Sequence, residues 1–390
     1  VTDKKKHRQI TVVTGTRADY GLLKPVLAAI QGQDQLDLAV VVTGMHLLRR
    51  FGYTLREVLA DGWPMGGRVK LQTEADDTLA QSQGLGRAIT ALTNRFASLN
   101  TDIVLVLGDR IEAFAAAAAA TASQLVLAHI HGGEAAQGVQ DDAYRHAISK
   151  LAHLHCVAST GAKRRLIRMG EAPWRVYRTG SPGLDNLVNL ASCDIGTLCQ
   201  WTGFDVRDPF VMVLQHPAGG SPRQERQWME QTLRGCGRAG LKVVVLGSNS
   251  DTGFSGIAQA TEQLCTQRHW PTLVHVPREV YLGLLRHAVA LVGNSSSGII
   301  EAGYLGVDVI NVGPRQNGRE RGRNVIDVPY GCKPVAEALQ QLVKRAAHTK
   351  AKPRRSRCKI YGDGAASARI ATILAQTLLD QRLRHKQTFH

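Results

Sequence analysis

Continuous apolar runs of five to seven residues recur along this chain, separated by longer helix-like segments. That alternation restricts the fold more than any other feature. In the first half the runs are ITVVT (10–14), LAVVVTG (38–44), IVLVLGD (103–109), LVLAHI (125–130), LHCVA (154–158) and VYRTG (176–180). In the second they are FVMVLQ (210–215), KVVVLG (242–247), TLVHV (272–276), VALVG (289–293), DVINVG (308–313) and NVIDV (324–328). Strands that are apolar on both faces belong in parallel sheets covered by helices on each side. Six strands in each half predict two Rossmann-like, doubly wound α/β domains facing each other across a cleft. The stretch 180–209 breaks the rhythm with Gly, Pro and Asp, so the expected division is 1–185, 186–370 and a C-terminal helix with a basic tail, 371–390.

A chain of 390 residues, 44% of them hydrophobic, can bury two cores. Its formal charge of +16 favours anionic partners, although much of the excess sits in KKKHR and KPRRSRCK near the ends. Seven scattered cysteines without a CxxC pair indicate reduced thiols. The apolar run at the start is too short for a signal peptide, and nothing approaches the ~18 apolar residues of a membrane span. A soluble, cytoplasmic protein is expected, with no membrane partner.

In parallel α/β sheets, ligands collect beyond the carboxyl ends of strands. TVVTGTRADYGLL (11–23) reads as strand, Gly-rich turn and helix, with Arg17 at a helix start that attracts phosphate. The dinucleotide fingerprint GxGxxG is absent, so NAD and FAD are not expected. VGNSSSGIIEAGYLGVDVINVG (292–313) places Ser295, Ser296, Ser297 and Gly298 at another helix start as a phosphate nest. Glu301 follows, suited to accept both hydroxyls of a ribose. GPRQNGRERGRNVIDV (313–328) carries Arg315 in a basic loop. That loop lacks the interleaved aromatics of an RNA-stacking platform, so no nucleic-acid partner is expected.

The fourth constellation is GDRIEAFAAAAAATASQLVLAHIHGGE (108–134) continued by DDAYRHAISKLAHLH (141–155). Asp109, Arg110, His131, Glu134, Asp141, Asp142, Arg145 and His146 fall near strand ends or a helix start. Asp141 or Asp142 also fits a helix cap, and Arg145 and His146 fit helix-surface ion pairs. His129 and His131 share a strand face, but no third ligand has zinc spacing, so no metal is expected. Clustered carboxylates beside arginines suit proton transfer at carbon.

GTRADYGLL, GDRIEA, HIHGGE, DDAYRHAISKLAH, GSPGLDNL, QHP, GNSSSGIIEA and GPRQNGRERGRNVI run in order across residues 10–328. Together they resemble the hydrolysing branch of the UDP-N-acetylglucosamine 2-epimerase family, in its bacterial form without an appended kinase domain. The resemblance implies a GT-B-like fold, a homodimer or higher homo-oligomer, and UDP-sugar contacts on Arg17, Arg110, Ser296, Glu301 and Arg315, with Ser295 and Ser297 as neighbours. It implies catalytic roles for Asp109, Asp141 and Arg145, with His216 of QHP facing the sugar. Some relatives carry glutamate where this chain has His131, so either His131 replaces that group or Glu134 reaches in. The implied reaction converts UDP-N-acetylglucosamine and water to UDP and N-acetylmannosamine, without cofactor. UDP leaves from C1 as a proton leaves C2, and water then adds to the resulting glycal. The same chemistry on UDP-N,N′-diacetylbacillosamine, or a GT-B glycosyltransferase, are the alternatives.

Overall fold

All twelve predicted runs form strands, and the first half adds a thirteenth. In this computed structural model the described residues are 7–49, 52–71, 78–135, 140–248, 253–274, 276–348 and 358–387. The first sheet contains β1 (Arg8–Thr14), β2 (Leu36–Thr43), β3 (Met65–Val69), β4 (Ile103–Leu107), β5 (Val126–Ile130), β6 (Leu154–Val157) and β7 (Val176–Arg178). Their spatial order is β3-β2-β1-β4-β5-β6-β7. Every pairing in it is parallel. The six-strand expectation for this half missed β3. Its sequence, MGGRV, has two glycines and no β-branched run, and it pairs at the sheet edge across a register shift at Val40/Val41.

Both faces of this sheet are covered, as the apolar runs require. Ile10, Val12, Leu105 and Ala128 pack into one cluster, and Val13, Val104, Val106 and Leu127 into another. The helix Arg17–Gln31 buries Tyr20, Leu23, Val26, Leu27 and Ile30, spaced three or four apart along one stripe. Each such burial stabilises by roughly 1.5–3 kcal/mol. The helix Ile111–Ala122 is different: six of its alanines are buried, and their small side chains let it lie close against neighbours on both sides.

The second sheet contains β8 (Phe210–Leu214), β9 (Lys242–Leu246), β10 (Thr272–Leu273), β11 (Ala290–Gly293), β12 (Asp308–Val312) and β13 (Val325–Val328). Their order is β10-β9-β8-β11-β12-β13, again all parallel. Val211, Val213, Val243, Val245, Val292 and Ile310 lie in its core with Leu233, Leu339 and Leu342 from flanking helices. This is the doubly wound, two-domain α/β fold read from the sequence.

Apart from Ala135, which groups with the second unit, the chain changes unit between Asp185 and Asn186 and changes back between Tyr361 and Gly362. The sequence reading extended the second domain to 370. Residues from Gly362 onward belong instead with the first unit, because Ile370, Ala371, Leu374 and Leu383 are buried in the cluster that contains β1 and β2. The expected single final helix is two, Ala366–Gln376 and Gln381–Arg384. Around the first crossing, short helices at Leu187–Leu190 and Ile195–Thr202 occupy the stretch expected to interrupt the rhythm. No helix among the described residues is long and apolar enough to cross a membrane, and all seven cysteines are free.

Candidate active site

Sheet register decides which loops meet. Leu107 pairs with Ile130, and Ile130 with Cys156, so the turns after β4 and β5 emerge side by side. The Gly108 carbonyl accepts from His129 Nε2 at 2.7 Å, while His129 Nδ1 lies 3.2 Å from the Ser149 hydroxyl. Both nitrogens of His129 thus serve the scaffold. Burial pushes its pKa down to about 3, which keeps the ring neutral.

Arg145, 2% exposed, gathers the acid–base candidates. Its guanidinium forms an ion pair with Asp109 and another with Asp142 at 2.7 Å, and donates to the Glu134 carbonyl at 3.3 Å. The helix carrying it starts at Gln140, so Asp142 lies within the first turn and not at the cap. The side chain of Asp141 lies outside the described residues. His146 pairs with Asp142 at 3.4 Å.

His131 is buried, in a left-handed conformation (φ 66°) unusual for a side-chain-bearing residue. Its Nδ1 lies 2.6 Å from Glu134 Oε1, and its Nε2 lies 3.1 Å from Ser181 Oγ. The alternatives posed by the sequence, His131 or Glu134, are therefore two halves of one hydrogen-bonded pair.

The turn after β1 is shaped by Asp19, whose carboxylate accepts from the Gly15 and Thr16 N–H groups at 3.0 and 2.9 Å. Arg17 follows on an exposed position, 3.3 Å from Glu57. A solvent-exposed pair of that kind is weak enough to be exchanged for a ligand phosphate. Glu112 is buried beneath this turn; a Cβ on either Gly15 or Gly44 would come within 2.5 Å of its side chain. Arg110 Nε stands 3.6 Å from the same carboxylate.

In the second unit, Gly293 pairs with Leu214 on one side and Asn311 on the other. Only glycine fits there: φ is 136°, and a Cβ would approach the Leu214 carbonyl oxygen to 2.1 Å. The next residue, Asn294, is a hub. Its Oδ1 accepts from the His216 N–H at 2.7 Å and its Nδ2 donates to the His216 carbonyl at 2.8 Å. Its own carbonyl accepts from Arg315 at 3.2 Å and Gln316 at 2.8 Å. One buried residue, through its side chain and its carbonyl, thereby ties together the three motifs QHP, GNSSSG and GPRQ. Burial, with Arg315 nearby, pushes His216 down to about 3.

Ser295 caps the helix Ser296–Leu305, its hydroxyl accepting from the Ser297 N–H at 3.3 Å. Gly298 keeps that helix close to β12, since a Cβ would meet Val309 at 3.0 Å. Glu301 is largely buried and receives Arg278 at 2.6 Å and the Ser297 hydroxyl, which also meets the Tyr281 hydroxyl. The Ser296 side chain makes no hydrogen bond among the described residues.

The first unit thus gathers Asp109, His131, Glu134 and Arg145, and the second gathers Ser295, Ser297, Glu301, His216 and Arg315. Sequence reasoning passed over Asn294, Ser181, Arg278 and Gln316. Asn294 carried one signal, its place at the carboxyl end of a strand. The same is true of Ser181, just beyond β7.

A model of the UDP-N-acetylglucosamine 2-epimerase family matches residues 28–375. The chain belongs to that family. A Legionella pneumophila relative, a hydrolysing UDP-N,N′-diacetylbacillosamine 2-epimerase, is 35% identical over 97% of this chain and 98% of its own length. A UDP-N-acetylglucosamine 2-epimerase of Neisseria meningitidis is 34% identical over 86% of this chain and 87% of its own. Among solved structures, a Neisseria meningitidis UDP-GlcNAc 2-epimerase bound to UDP-GlcNAc superposes with a TM-score of 0.78 at 18% identity. That match covers 95% of this chain and all of the other, and it establishes the shared GT-B-like fold of this family member.

Proposed function

We propose that the protein is a hydrolysing 2-epimerase that converts UDP-N-acetylglucosamine and water to UDP and N-acetylmannosamine. The observation that carries this reading is the array at the carboxyl ends of β4 and β5, where Arg145 joins Asp109 to the turn holding the His131–Glu134 pair. Departure of UDP from C1 with loss of the C2 proton leaves a 2-acetamidoglucal. Water then adds its hydroxyl at C1 and a proton returns to C2 from the opposite face. Asp109 and the His131–Glu134 pair serve as the proton-transfer groups. Ser295, Ser296, Ser297, Arg17, Arg110 and Arg315 answer the diphosphate charge, and Glu301 the ribose. Gly298 lets the serine helix reach its place, and His216 faces the sugar. Asp141 completes the acid–base set by resemblance alone. The reaction moves no net electrons and needs no redox cofactor.

The same chemistry on UDP-N,N′-diacetylbacillosamine is the second reading, supported by the Legionella relative, which matches nearly its whole length. In either case the free amino sugar suits a sialic-acid-type pathway. Seven free cysteines support a cytoplasmic location, and the resemblance supports self-association as a homodimer or higher oligomer. The test is incubation with each UDP-sugar in heavy water, without an acceptor, followed by NMR. UDP and a free sugar carrying deuterium at C2 are expected. UDP release without deuterium at C2 would overturn the elimination route, and release only with an acceptor sugar would indicate a glycosyltransferase.

A further inference from the structure

His131 is held at both ends of its ring. Glu134 fixes Nδ1 at 2.6 Å, but a ring held at one nitrogen still swings about that contact. The second contact, 3.1 Å from Nε2 to Ser181 Oγ, lies on the far side of the ring and sets its plane. The backbone is fixed as well, because the His131 N–H donates to the Cys156 carbonyl at 3.1 Å despite the left-handed φ. Such a conformation is strained for a side-chain-bearing residue and persists only when its surroundings over-determine it.

Ser181 is itself anchored. It is 1% exposed and opens the turn Pro182–Leu184, all of whose residues are buried. Four residues on, Asp185 accepts from the Ala366 and Ser367 N–H groups at 2.9 and 2.6 Å, which pins this loop to the start of the Ala366–Gln376 helix. The loop is the GSPGLDNL motif, to which the reaction as described gives no part.

We propose that Ser181 is a positioning residue for the epimerisation, acting through His131. A hydroxyl is the fitting partner for a ring whose Nε2 gains and loses a proton in each turnover, yielding that nitrogen to the sugar only for the transfer itself. It donates to Nε2 when that nitrogen is bare and accepts from it when it is protonated, so the ring stays in place in both states. A carboxylate or an ammonium group could serve only one of them. The inference rests on the reading that His131 takes part in the chemistry at C2.

The test compares Ser181→Ala and Ser181→Thr in the full chain. In Ser181→Ala, kcat should fall by ~10- to 10²-fold, the scale of loss when a catalytic group is misplaced. KM and UDP affinity should stay within about twofold, because the groups assigned to the nucleotide are elsewhere. Ser181→Thr keeps the hydroxyl and should recover most of the lost rate. In ligand-free protein, the ¹⁵N resonance of His131 Nε2 should move in Ser181→Ala. An unmoved resonance, or an Ala variant with wild-type kcat in a preparation whose parent epimerises, overturns the inference and leaves the reaction standing. A parent that releases no UDP overturns the reaction, and the positioning role falls with it.

Discussion

His129 offers a direct measurement of what a buried neutral histidine does to the first unit. It is fully buried, with its Nε2 on the Gly108 carbonyl, and its pKa is pushed down from 6.5 to about 3. Above pH 6.5 the folded and unfolded chains both hold the ring neutral, and its contribution is fully present. As pH falls from 6.5 toward 3, the unfolded chain binds a proton that the folded chain refuses, so stability is lost. At ~pH 5 the gap from the unfolded value is about 1.5 units, and at ~1.36 kcal/mol per unit the loss is roughly 2 kcal/mol. Glutamine can donate to the same carbonyl but does not titrate there. Thermal melts of wild type and His129→Gln at pH 7.5 and 5 should therefore differ in their acid sensitivity. For a domain of this size the wild-type melting temperature should drop by roughly 4–8 °C more than that of the variant. Equal drops would refute the reasoning, because they would mean that His129 is protonated as readily in the folded state as in the unfolded.

Asn294→Ala removes the side chain that holds the His216 N–H and carbonyl, at about 1 kcal/mol for each part-buried hydrogen bond, and loosens the loop that bears His216. Calorimetry should show weakened UDP binding, while Asn294→Asp, which keeps the acceptor for the N–H, should lie between the two; unchanged affinity in Asn294→Ala would remove the hub role. Lys386→Met takes an ammonium from buried Glu171 at 2.7 Å and from the carbonyls of Ser149, Lys150 and Ala152. Burial alone would raise the Glu171 carboxyl, but hydrogen bonds from His155 and Lys386 reverse this and hold it at about 2. The variant should unfold at about 2 kcal/mol lower stability by urea titration at pH 7.5, since Glu171 keeps His155 as a partner.

Most of the fold could be read from the sequence, because strands buried on both faces leave continuous apolar runs that no turn or surface helix imitates. MGGRV could not be read this way: an edge strand has one neighbour, and its two glycines look like a turn. The Ala366–Gln376 helix was visible as a helix, but an amphipathic pattern does not say which core it will join. Site residues were legible where their type matched a chemical task at a strand end, as with Asp109, Arg145 and Glu301. Asn294 and Ser181 were not, because their importance lies in partners 78 and 50 residues away. His129 shows the converse: its residue type suggests chemistry, while its complete burial and its hydrogen bond to the Gly108 carbonyl assign it to the scaffold.

The return of the chain to its first unit sets an order of assembly at the ribosome. By the time residue 185 has been made, the Arg17–Gln31 helix still lacks the helix Ala366–Gln376 that packs against it and brings Ile370, Ala371 and Leu374 into the first unit's core. The intervening 176 residues (186 to 361) supply nearly all of the second unit. At ~5–20 residues per second, the earlier half waits roughly 10–35 s for that helix. The portion synthesised first is thus the portion completed last.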